Sequence, residues 1–137
     1  MRQSVQEKVD ALTLEEKVKL MAGADMWHSN SIERLDIPAF KMTDGPNGAR
    51  GVGGLKGKKS ASFPIGTAMG ATWNTDLIGQ VGTALAEETK AKGAHILLGP
   101  TVNIHRSPIS GRNFECFSED PYLTQKLAVA YITGLQA

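Results

Sequence analysis

The side chains with the most chemistry to offer fall in two short stretches. The first is Thr43-Asp44-Gly45-Pro46-Asn47-Gly48, a run of turn formers that begins where an apolar run stops. A carboxylate placed at the end of a strand can accept hydrogen bonds from two neighbouring hydroxyls, which is one way a protein holds a sugar. Glycines beside Asp44 let the backbone come close to a ligand. The same six residues also suit a plain turn in which Asp44 caps its own backbone. The second stretch runs from Asn103 to Glu115 and crowds His105, Arg106, Arg112 and Glu115 into one loop. Arginine presents a planar fork of donors that fits hydroxyl pairs and carboxylates. Glu115 follows Arg112 by three residues and can hold it in place. A loop tied together by its own ion pair, with no ligand, fits these residues equally well.

Other candidates offer less. Gly51 to Ser60 is rich in glycine and lysine and invites a phosphate-loop reading. It breaks that pattern: Val52 stands where the first glycine is required, and Lys59, not Ser or Thr, follows Lys58. A GxGxxG reading from Gly51 fails at Lys56, so a surface loop is the expectation. His28, His95 and His105 have no metal-like spacing, and no metal or cofactor is expected. Trp27 and Trp73 are each expected to pack in the core rather than serve as sugar platforms. Nothing beside Cys116 marks it as reactive.

These residues need elements to position them. Val5, Val9 and Leu12 recur at helical spacing, and Thr13 to Glu16 matches a capping box. Leu14, Val18 and Met21 continue an apolar stripe toward a stop at Gly23. Ala39 to Met42 reads as a strand that delivers Asp44. A long helix is predicted over Thr75–Lys92, capped by Asn74 or Thr75, with Leu77, Val81 and Leu85 lining one face. His95 to Leu98 reads as a strand covered on both faces, broken by Gly99-Pro100. Asp120-Pro121 then opens a last helix through Leu123, Leu127 and Tyr131. Strand, loop, helix, strand, loop, helix argues for parallel α/β architecture. Ligands in such folds sit at the carboxyl ends of strands, which is where Asp44 and the segment after Leu98 fall.

Composition bounds the answer. The chain has 137 residues, 41% of them hydrophobic, a net charge of +1 and one cysteine. A near-neutral balance gives no electrostatic footprint for nucleic acid. No internal disulfide can form. The polar start lacks a signal-peptide pattern, so none is expected, and no run approaches the ~20 apolar residues of a membrane span. A soluble, cytoplasmic chain with no nucleic-acid or membrane partner is the expectation.

The pieces Leu12-Thr13-Leu14-Glu15-Glu16-Lys17, Thr43 to Gly48, Ser62-Phe63-Pro64, Ala71-Thr72-Trp73-Asn74, Gly99 to Ile104 and Gly111 to Pro121 occur here in that order. As an ordered set they resemble glycoside hydrolase family 3, the β-glucosidase family, over nearly the whole chain. The resemblance implies an α/β fold, with residues 1–137 forming a partial N-terminal domain of a (β/α)₈ TIM-type barrel. It implies a retaining glycosidase acting on a β-linked glucoside or short oligosaccharide. Asp44 and Arg112 would contact the terminal sugar, and Glu115 would support Arg112. The family's nucleophile, an aspartate, its acid/base, a glutamate, and a sugar-binding Lys-His pair all lie beyond the residues present. Such a barrel needs about 250 residues, so the chain is expected to be truncated and, alone, inactive. The competing expectations are a non-catalytic carbohydrate-binding or interaction fragment and, at the Gly/Lys loop, a phosphate-binding module.

Overall fold

The computed structural model describes residues 4–51 and 59–137. The segment from Val52 to Lys58, which carries most of the phosphate-loop reading, lies outside the described residues. The chain divides into two compact units, residues 1–42 and 43–137.

The first unit holds two short helices, α1 (Val5–Ala11) and α2 (Leu14–Met21). The predicted capping box starts α2: Thr13 N–H donates to Glu16 at 2.9 Å and Glu16 N–H donates to Thr13 Oγ1 at 3.2 Å. An equivalent box from Ser4 and Glu7 starts α1. Arg34 ties the unit together. Its Nε donates to Glu16 Oε1 at 2.7 Å and its Nη2 to the Ala11 carbonyl at 2.8 Å. The Arg34 bond to Glu16 and, after it, that of the Thr13 N–H hold the Glu16 carboxyl down at about 2. The helices form as expected, but their apolar stripe is not buried. Val5 is 81% exposed and Met21 is 89% exposed. Helical periodicity identified the helix and not a partner for its face.

The second unit holds the sheet and the core. Strand β1 (Met42–Asp44) pairs with β2 (Ile96–Leu98) in a two-stranded sheet. The strand expected over 39–42 lies further along the chain. Apolarity marked Ala39-Phe40, yet the Phe40 N–H goes to the Ser29 hydroxyl at 2.7 Å and its carbonyl to Ser29 N–H at 2.9 Å. In β2 only Leu97 is buried, while Ile96 and Leu98 are nearly half exposed. The expectation of a strand covered on both faces is therefore not met in this chain. His95, expected in that strand, is exposed just before it.

Between the strands lie α3 (Gly66–Gly70), a turn-and-a-half that sequence periodicity did not flag, and α4 (Thr75–Ala91). After β2 comes α5 (Pro121–Gln136). Asn74 caps α4 by accepting from Leu77 N–H at 3.0 Å. Asp120 caps α5 by accepting from Tyr122 and Leu123 N–H, with Pro121 at the first helical position. Both caps satisfy donors that a helix start leaves open. Helices α4 and α5 pack side by side, and Ile78, Leu85, Leu127 and Tyr131 between them are fully buried.

The buried residues of α4 are Ile78, Gly82, Leu85, Ala86 and Thr89; of the expected Leu77-Val81-Leu85 face, Leu85 is fully buried and Val81 packs against the core. Leu77 is exposed. Glycines widen the buried face beyond what large apolar side chains mark. A Cβ on Gly82 would stand 2.2 Å from the Tyr131 carbonyl oxygen, and one on Gly134 would stand 2.0 Å from that of Gly79. The helices meet backbone to backbone there, and counting large apolar side chains misses such a contact. Trp73 also departs from expectation: it is 75% exposed, with a left-handed φ of 51° ahead of α4. Among the described residues no helix is long and apolar enough to cross a membrane.

Candidate functional site

The turn after β1 and the loop after β2 meet in one cleft of about 310 Å³, lined by Asp44 to Gly48, Arg50, Arg112, Phe114 and Glu115. Asp44 ends β1, so the strand fixes its backbone. The chain then reverses at once: Arg50 N–H donates to the Asp44 carbonyl at 2.9 Å, and Gly48 N–H to that of Gly45 at 3.2 Å. Gly45 adopts φ 131°, and a Cβ there would lie 1.8 Å from the Gly48 carbonyl oxygen. Glycine is needed at 45 for the turn to close on itself.

The Asp44 carboxylate does not cap its own turn. Arg50 Nη1 donates to its Oδ2 at 3.2 Å, and among the described residues nothing donates to Oδ1. One oxygen therefore retains its acceptor capacity toward a ligand. Arg50 was not flagged from sequence. Its place depends on the turn folding Arg50 back toward Asp44, and the only local signal was a cation six residues after the aspartate.

Arg112 and Glu115 lie at the start and end of a short 3₁₀ turn, Asn113–Glu115 and its N-terminal neighbour. Arg112 Nε donates to Glu115 Oε1 at 2.6 Å, and Nη2 donates to Oε2 at 2.7 Å. Thr101 Oγ1 adds a third bond to Oε2 at 3.2 Å. The pair shifts both groups in the direction of charge: hydrogen bonds from Arg112 lower the Glu115 carboxyl, and Glu115 raises the Arg112 guanidinium, with a smaller contribution from Asp44. Glu115 is largely covered while the Arg112 side chain is 78% exposed. A guanidinium has five N–H donors. Two are committed to Glu115, so the others are available to a ligand in the cleft.

Helix α3 braces this turn from behind. Thr67 Oγ1 donates to the Phe114 carbonyl at 3.1 Å, and a Cβ on Gly66 would stand 2.1 Å from the Glu115 carbonyl oxygen. Phe114, also unflagged from sequence, lines the cleft with half of its surface exposed.

The loop's other charged residues do not join the cleft. His105 Nε2 donates to the Asn113 carbonyl at 2.8 Å and ties the loop to itself. Arg106 lines a separate hollow of about 210 Å³ with Asn103, Ser107 and Asn113. Cys116 is buried with its Sγ 3.8 Å from the Arg112 carbonyl. Among the described residues no three His, Cys, Asp or Glu side chains converge as metal ligands would.

An α/β chain whose strand-end turn and following loop meet in one polar cleft has the layout of a barrel-type ligand site. Comparison with known proteins specifies the class further. The glycosyl hydrolase family 3 N terminal domain model matches residues 5–137, and the chain belongs to this family. A β-glucosidase of Rhizobium radiobacter is 59% identical over 130 residues, which are 94% of this chain and 16% of that protein. A probable β-glucosidase I of Aspergillus clavatus is 52% identical, over 96% of this chain and 16% of its own length. Among solved structures, the Kluyveromyces marxianus β-glucosidase in complex with glucose superimposes with a TM-score of 0.93 at 43% identity, over 97% of this chain and 16% of that one. The Thermotoga neapolitana β-glucosidase 3B in complex with α-D-glucose gives 0.88 at 35% identity, over 98% of this chain and 21% of that one. The fold is α/β, the N-terminal part of a TIM-type barrel.

Proposed function

We propose that this chain supplies part of the glycone subsite of a retaining β-glucosidase, gripping the terminal sugar of a β-linked glucoside or short oligosaccharide. The observation that carries this reading is the convergence of Asp44, Arg50, Arg112 and Glu115 on one cleft. Asp44 accepts from sugar hydroxyls through the oxygen that Arg50 leaves open. Arg112 donates to hydroxyls of the same sugar through the N–H groups that Glu115 leaves open. Glu115 supports Arg112 by fixing the plane of its fork. Contacts of this kind position the sugar and strengthen as the oxocarbenium-like transition state forms.

The same geometry separates gripping from cutting. Retaining hydrolysis needs two carboxyl groups about 5–5.5 Å apart, one protonated as the acid and one free as the nucleophile. Glu115 is bonded through both oxygens and held ionised by Arg112, the reverse of what a general acid requires. Glu115 is thus no general acid; in this reading the nucleophile and acid come from elsewhere in a complete enzyme, and the relatives' much greater length gives room for them. The 137-residue chain alone is expected to leave an aryl β-glucoside intact.

The test is the hydrolysis of 4-nitrophenyl β-D-glucoside by a full-length enzyme carrying this segment. Asp44→Ala is expected to lower kcat/KM by at least about a hundredfold, the size of effect that loss of a positioning contact can have. Activity within a few-fold of wild type, in a folded protein, refutes the subsite.

A further inference from the structure

Tyr131 is one of the most deeply buried side chains in the chain, 85 residues from the turn it touches. It sits on the buried face of α5, far along the helix from the Asp120 cap. Its hydroxyl donates to the Pro46 carbonyl at 2.8 Å. Pro46 lies two residues after Asp44 and lines the same cleft. Proline has no N–H. The carbonyl is thus the one backbone group through which residue 46 can be held by a hydrogen bond, and Tyr131 takes it.

A second contact meets the same residue. β2 ends beside Gly99, where a Cβ would stand 2.9 Å from Pro46 Cα and 3.3 Å from the Tyr131 hydroxyl. The turn is therefore closed within itself at Gly45 and Gly48, seated on Gly99, and fastened to α5 by Tyr131. Burial raises the Tyr131 phenol above its ordinary value of 10.0, so at neutral pH it keeps the proton it donates.

We propose that Tyr131 is a positioning residue for Asp44: its hydroxyl holds the Gly45-Pro46 backbone so that the Asp44 carboxylate meets the sugar in register. This rests on the reading of Asp44 as a sugar contact. Tyr131 touches no reacting atom. It acts through the turn, and an ångström-scale shift of a positioned group is enough to cost orders of magnitude in rate. Tyr131→Phe removes the hydroxyl and leaves the ring that fills the core.

The experiment is a double-mutant cycle in a full-length enzyme carrying this segment, read as kcat and KM on 4-nitrophenyl β-D-glucoside with a thermal melt of each protein. Tyr131→Phe is expected to lower kcat about tenfold, with KM changed less than about threefold. In the Asp44→Ala background the same substitution is expected to change kcat less than about twofold, because Tyr131 then has no contact to position. If Asp44→Ala alone is harmless, the subsite reading fails. If Asp44→Ala is damaging while Tyr131→Phe melts near wild type and keeps full kcat, the subsite stands and the positioning role is overturned. An equal loss from Tyr131→Phe with and without Asp44 also overturns it, since that is a structural effect. Should the Phe variant not fold, 4-aminophenylalanine at position 131 replaces it. That side chain keeps a donor, and kcat within about threefold of wild type is expected; a tenfold loss at an unchanged melting temperature overturns the proposal.

Discussion

Arg112 and Glu115 form a bidentate pair, with N–O distances of 2.6 and 2.7 Å, in which the acid is covered and the base is exposed. The asymmetry gives each residue its part: Glu115 is committed to Arg112, while Arg112 has donors left over. Glu115→Gln keeps the shape and removes the charge, so one of its two terminal atoms becomes an N–H donor facing another donor. The fork loses a bond and its fixed plane. In a full-length enzyme carrying this segment, kcat/KM on an aryl β-glucoside is expected to fall by about ten- to a hundredfold, with the melting temperature lowered by only a few degrees. A variant with undiminished kcat/KM would remove Glu115 from the site.

The pair also carries a pH signature. Glu115 titrates below its ordinary 4.5 when folded, because Arg112 bonds to its charged form. A depressed carboxyl contributes stability that is fully present above the unfolded value and is lost as pH falls through the folded one. The contribution is modest, because solvent screens the exposed Arg112. A carbon-detected NMR titration of the Glu115 carboxyl should place its midpoint below 4.5 in the wild type and at or above 4.5 in Arg112→Ala. A wild-type midpoint at or above 4.5 would contradict the pairing.

Gly134 packs against Gly79 at a distance that admits no side chain. Gly134→Ala puts a methyl where the Gly79 carbonyl stands, and α4 and α5 must separate to take it. Alanine favours the helix by about 1 kcal/mol over glycine at an unhindered site, so the two effects oppose each other. With backbone 2.0 Å away, overpacking wins. Urea unfolding is expected to give a net loss of about 1–3 kcal/mol. A stabilised Gly134→Ala would mean that the helices are not in backbone contact.

Much of this architecture could be read from local chemistry. Asp120-Pro121, Asn74 and the Thr13–Glu16 box announced three helix starts, because a cap is satisfied within three residues of itself. Residue type brought Asp44 and Arg112 forward, and strand-end position added to Asp44, but a plain turn and a self-tied loop fitted the same residues, and only the resemblance singled the two out. The rest depends on what lies across space. The apolar run at Ala39-Phe40 gave no sign that Phe40 would bond to Ser29, so the strand was placed too early. The face of α4 was read only in part: Leu85 is buried and Val81 packs on the core, but Leu77 is exposed, and Gly82 and Gly134, with no side chains to count, set the closest contact. Arg50 entered the cleft through closure of the turn, and Tyr131 reached Pro46 across 85 residues. The expectation that Ile96 and Leu98 would be covered came from the pattern of a central strand, and in this chain they are exposed.

The account rests on one sugar meeting Asp44 and Arg112 together. A crystal structure of a full-length enzyme carrying this segment, soaked with glucose, tests this most directly. The account predicts glucose in the cleft, with hydroxyls within hydrogen-bonding distance, about 2.7–3.2 Å, of both the Asp44 carboxylate and the Arg112 guanidinium. Glucose bound at the catalytic centre but touching neither residue would contradict it.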